Sequence, residues 1–68
     1  MNRNTIVLVH RTNKTLPHAH AEFIGRCRLW TAAHIYDKPA TEVISRMIIA
    51  GQYAWSTEMY DYTFRAET

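Results

Sequence analysis

The chain reads as an α+β fold, a single small domain over residues 1–68 in the order β-β-α-β. The expected sheet is three-stranded and antiparallel/mixed, in the order 2-1-3, with one helix packed on one face. Three observations predict this. A short β-branched apolar run opens the chain, one long stretch repeats its apolar residues at helical spacing, and the last stretch alternates with period two. At 68 residues there is room for one core, and much of the surface stays exposed. A content of 47% hydrophobic and 21% charged residues is that of a folding chain rather than a disordered one.

The opening run is Thr5-Ile6-Val7-Leu8-Val9-His10. Apolar on both alternating faces, it reads as a central strand with a neighbour on each side and cover on both faces. Residues 12–18 collect turn formers, and Pro17 disfavours helix at Leu16, so a loop or wide hairpin connection follows. Residues 20–30 carry two patterns. As a strand they place Ala21, Phe23, Gly25, Cys27 and Leu29 on an inward face and Glu22, Ile24, Arg26, Arg28 and Trp30 on the other. As a helix they align Phe23, Ile24, Cys27, Trp30, His34 and Ile35. Gly25, which weakens a helix interior by about 1 kcal/mol relative to alanine, favours the strand.

The helix is expected to start at Asp37 as its cap, with Pro39 early and Gly51 as the stop. Ala40, Val43, Ile44, Met47 and Ile48 form its apolar stripe, and burying the last four would supply about 6 to 12 kcal/mol gross. Beyond it Tyr60, Tyr62 and Phe64 share one strand face, while Met59, Asp61, Thr63 and Arg65 share the other. A right-handed crossover sets this last strand beside the first.

Residues that carry chemistry are few. A cleft of ordinary size would consume much of so small a core, so a non-enzymatic chain is expected. His10, His18, His20 and His34 are the candidate metal ligands, and H-x-H on a strand puts His18 and His20 on one face. A tetrahedral site needs three or four converging donors, and nothing in the spacing supplies them, so no metal and no cofactor is expected. Cys27 lacks a neighbouring base or oxyanion motif and reads as a small hydrophobe. As the sole cysteine it forms no intramolecular disulfide, which fits a reducing compartment. No apolar stretch has bilayer length and no cleavage pattern follows Met1-Asn2-Arg3-Asn4, so the cytoplasm is the expected location.

Charge is uneven along the chain. Residues 1–28 carry +4 and residues 29–68 carry −2. Two surfaces follow. Trp55, Glu58, Tyr60, Asp61 and Tyr62 make an acidic aromatic patch of the composition that protein partners bind. Arg11, Arg26, Arg28 and Trp30 make the alternative, a basic strand face with an aromatic for nucleic acid. Homodimer formation through exposed strand edges is a further expectation.

No motif permits a residue-by-residue transfer from a known family. In type, as a very small, motif-free, aromatic-rich and charge-asymmetric domain, the chain is similar to the accessory proteins with which phages and mobile elements inhibit a host complex, anti-CRISPR proteins among them. That resemblance implies a protein-binding inhibitor or regulator that occludes a larger partner, a nucleoprotein complex included.

Overall fold

β1 (Ile6–Asn13) is the axis of the molecule, seen in a computed structural model that describes residues 1–67. It is flanked by β2 (Glu22–Arg28) on one side and β4 (Tyr60–Ala66) on the other, and β4 pairs outward with β3 (Tyr53–Ser56). The sheet order is β2-β1-β4-β3 and every pairing is antiparallel. Between β2 and β3 the chain forms α1 (Leu29–Ile35) and α2 (Ala40–Ala50).

The α+β class and the antiparallel sheet hold, but among the described residues there are four strands rather than three and two helices rather than one. Both additions are short. β3 has four residues, too few for a period to show, and the seven residues of α1 follow β2 without an intervening loop. β1 also extends three residues beyond His10, into what reads in sequence as loop, because β4 pairs with it as far as Asn13.

The core lies between the helices and one sheet face. Val7, Val9 and Phe64 from the sheet meet Leu29, Ala32 and Ala33 from α1 and Val43 and Met47 from α2, all buried. Cover on both faces of β1, expected from its composition, is not found. Ile6 and Leu8 face away from this core and are only half-buried. The α2 stripe is likewise narrower than its sequence suggests, since Ile44 is half-buried and Ile48 is 65% exposed. Val43 and Met47 alone supply about 3 to 6 kcal/mol gross, and α1 provides apolar cover that a single helix would have had to give.

A bulge decides which way β2 faces. The register with β1 slips between Val9, opposite Gly25, and His10, opposite Phe23, so Ile24 is the extra residue. Ile24 therefore packs against the core with Cys27, while Phe23 joins Arg26 and Arg28 on the opposite face, 58% exposed. This reverses the strict alternation read from the sequence, which placed Phe23 inward and Ile24 outward.

Asp37 does not cap α2. It sits in the left-handed region, φ 55°, just past the end of α1, where its N–H donates to the His34 carbonyl at 3.2 Å and the Lys38 N–H donates to the Ala33 carbonyl at 2.7 Å. That pair of bonds is a Schellman motif, and Pro39 then takes the N-cap position of α2. A left-handed backbone strains any residue with a Cβ. Asp37→Gly should therefore raise stability by up to about 1 kcal/mol, read as a higher urea midpoint at unchanged slope, and Asp37→Val should lower it. Gly51 ends α2 as expected, with φ 73° and its N–H on the Met47 carbonyl at 2.9 Å.

Candidate binding surfaces

On the helix-covered side, burial falls off along the strands. Val7 and Val9 of β1 are buried but Arg11 and Asn13 are not, and Phe64 of β4 is buried but Tyr62 and Tyr60 are only half so. The helices end where the aromatic residues begin. Trp55 of β3 lies opposite Tyr62 of β4 in register, and the two rings stack with centroids 5.0 Å apart and planes 7° from parallel. Phe64 meets Trp55 edge-on at 4.9 Å. Tyr36, the last residue of the α1 turn, leans on Trp55 and Tyr62 at 5.5 Å each, and Tyr60 continues the row at 5.9 Å from Tyr62.

Cations lie on these rings. The Arg11 guanidinium stands 4.6 Å over Tyr60 and the Lys38 ammonium 5.0 Å over Trp55. Arg11 also donates to the Glu22 carboxylate at 2.7 Å; that bond first, and the Tyr62 hydroxyl second, raise its pKa further, so it stays charged. Burial raises the Tyr36 phenol above its ordinary range as well.

The acidic frame expected around this patch is only half there. Glu58 sits in the β3–β4 turn, close in sequence to Tyr60. Asp61 is opposite Thr12 and Ser56, so it belongs to the other sheet face, where it accepts from the Ser56 hydroxyl at 2.6 Å and pairs with Lys14 at 3.5 Å. Those two contacts hold its carboxyl below the usual carboxylate range, the Ser56 bond being the larger cause. The rings are thus flanked on their own face by Arg11, itself paired with Glu22, and by Lys38, so the patch is of mixed charge rather than acidic as read from the sequence.

The alternative set, Arg11, Arg26, Arg28 and Trp30, is dispersed. Arg11 is on the aromatic side, Arg26 and Arg28 are on the open sheet face, and Trp30 is in the first turn of α1, 46% exposed. The strand pattern of residues 20–30 placed all but Arg11 together, and the start of α1 at Leu29 separates Trp30 from them. What the open face does gather is Phe23 against the edge of His10, centroids 5.7 Å apart, then Leu8 between Arg26 and Arg65, then Ile6 beside Arg28. Arg26 pairs with Glu67 through two hydrogen bonds, which hold that carboxyl below its ordinary range.

The histidines do not converge. His18 and His20 precede β2 in the connecting loop rather than lying on a strand, His18 at φ 58°, and among the described residues no group of three His, Cys, Asp or Glu side chains is arranged to hold a metal ion. Cys27 is half-buried against the core, and burial pushes its thiol pKa up, away from the thiolate a nucleophile needs. No helix among the described residues is long and apolar enough to cross a membrane.

Sequence reasoning missed Tyr36, Lys38 and Phe23 as surface elements. Tyr36 and Lys38 flank the left-handed Asp37, and no local pattern tells that this turn swings both onto β3. Comparison with protein-family models, with curated proteins and with solved structures returns no match to this chain.

Proposed function

We propose that the chain is a non-enzymatic protein-binding module whose contact is the aromatic end of the helix-covered face, and that it acts by occluding a surface of a larger partner. The observation that carries this reading is the Trp55–Tyr62 stack, continued by Tyr36 and Tyr60 and reaching solvent where the helices stop. Tryptophan, tyrosine and arginine are the residues that dominate binding energy at protein interfaces. The faces of these rings are already taken, Trp55 by Tyr62 and Lys38, Tyr60 by Arg11. They offer a partner edges, hydroxyls and flanking cations rather than a platform for stacking a base. The complementary surface is an apolar pocket with a carboxylate placed to meet Lys38, since Arg11 is already paired with Glu22. A cytoplasmic inhibitor or regulator of phage or mobile-element type is the setting in which such a contact would act.

The test is capture of partner from a lysate of the native host, quantified for the wild-type chain and for Trp55→Ala and Lys38→Glu. Trp55→Ala should weaken the complex at least about 30-fold, the loss of a hot-spot side chain. Lys38→Glu, at a surface position that leaves the core alone, should weaken it about 10-fold by removing one cation and adding a like charge to the rim. Full retention of partner by folded Lys38→Glu and Trp55→Ala chains, with loss on Arg28→Glu, would move the contact to the other face.

A further inference from the structure

The open face of the sheet is a second surface with its own chemistry. It carries Arg26, Arg28, Arg65 and Lys14 against two carboxylates, Glu67 and Asp61, and so holds a charge of +2, the whole formal net charge of the chain; the remaining charged residues cancel. Arg26 is neutralised in place by Glu67, and Lys14 by Asp61. Arg65 donates to the neutral Gln52 side-chain oxygen at 3.1 Å, and Arg28 has no hydrogen-bond or ion-pair partner among the described residues.

These cations border an apolar lane. Leu8 lies between Arg26 on one neighbouring strand and Arg65 on the other, and Ile6 lies beside Arg28. Arg26 and Arg28 are two residues apart on β2, about 6.8 Å along the strand, close to the step between successive phosphates of an extended single strand. At the far end of the lane Phe23 is 58% exposed, and its one aromatic neighbour, His10, meets it at 65°, so a ring face remains in solvent. Beside it His10, Ala21, Thr63 and Arg65 line a depression of about 340 Å³.

From this we infer that the open sheet face binds single-stranded nucleic acid, with Arg28 and Arg65 on the phosphates, Phe23 stacking a base and Leu8 and Ile6 supporting its neighbours. A polyanion is called for by a face on which Glu67 and Asp61 pair with Arg26 and Lys14, while Arg28 and Arg65 have no carboxylate partner among the described residues. A single strand is called for by the free aromatic face, which a duplex with its bases stacked inside has no means to use. The surface is independent of the aromatic protein contact, which lies across the sheet.

The experiment is fluorescence anisotropy of the purified chain with a labelled single-stranded oligonucleotide of about a dozen nucleotides, over a salt series. With two to three phosphates neutralised, affinity should fall about 7- to 18-fold between 50 and 200 mM salt. Phe23→Ala should weaken binding about 5- to 150-fold. Arg28→Glu with Arg65→Glu should abolish it, and both changes are at exposed positions, so the thermal melt should stay close to wild type. Ile49→Ser, at an 82% exposed position on α2, should bind the oligonucleotide as wild type does. No binding at the lowest salt, or binding that survives the double charge reversal, overturns the inference. So does equal affinity for a duplex of the same length or for a poly-glutamate peptide, which would make the face a general anion surface.

Discussion

Phe64→Ala is expected to leave the chain largely unfolded at 37 °C. Phe64 is completely buried, sits opposite Val9 on one neighbouring strand and Tyr53 on the other, and has the rings of Tyr36, Tyr53 and Trp55 within 4.9 to 6.1 Å. Removing a buried phenylalanine ring costs about 3 to 5 kcal/mol. A domain of this length has about 3 to 10 kcal/mol in total. The loss should appear as collapse of the near-ultraviolet circular dichroism of the aromatic cluster and as a melt displaced by tens of degrees. Phe64→Leu, which keeps most of the volume, should melt in between. A Phe64→Ala melt within a few degrees of wild type would show that the core lies elsewhere.

Leu29→Ala is the second large effect, expected at about 2 to 5 kcal/mol. Leu29 is where β2 becomes α1. Its side chain is fully buried in the core, and its N–H donates to the Thr5 carbonyl at 2.8 Å, tying the junction to the segment just before β1. Trp30, the next residue, is the contrast, since it is nearly half exposed and Trp30→Ala should cost well under half as much. Chemical denaturation of the two variants reads the difference directly. Equal costs would mean that the turn from strand to helix does not orient the two side chains as described.

These two positions also show what the sequence makes legible and what it hides. The period-two pattern of Tyr60, Tyr62 and Phe64 identifies β4 and its inner face, and the stripe from Val43 to Met47 with Gly51 behind it identifies α2. Both elements are long enough for a period to repeat. α1 is not, and Gly25 upstream argues against helix for a segment that is half strand and half helix. The Ile24 bulge is invisible to alternation, because one unpaired residue exchanges the faces of everything before it; hence Phe23 reads as core and is surface.

The candidate sites divide along the same line. Trp55, Tyr60 and Tyr62 are found together on one face because their spacing within two strands fixes it. Asp61 follows from the same rule, since a neighbour of Tyr60 and Tyr62 in a strand must point the other way, so an acidic frame drawn from sequence proximity mixes two faces. The cations that do flank the rings come from Arg11 on β1 and from Lys38 beyond α1. Only tertiary structure brings those together, through the β1–β4 register and the Schellman turn at Asp37.

The central position of β1 also governs the order in which the chain can assemble. β2 is a local partner, reached through the loop of residues 14–21, but the β4 side of β1 is closed by pairs such as Val9 with Phe64, from opposite ends of the chain. Non-local pairings of this kind form late and slow folding, because loop closure must be paid before any contact forms. Until β4 arrives, the β1–β2 hairpin presents a free edge bearing Val7 and Val9, both buried in the finished core. The strand that is safest in the finished molecule is therefore the one most open to pairing with a second chain while the molecule is being made.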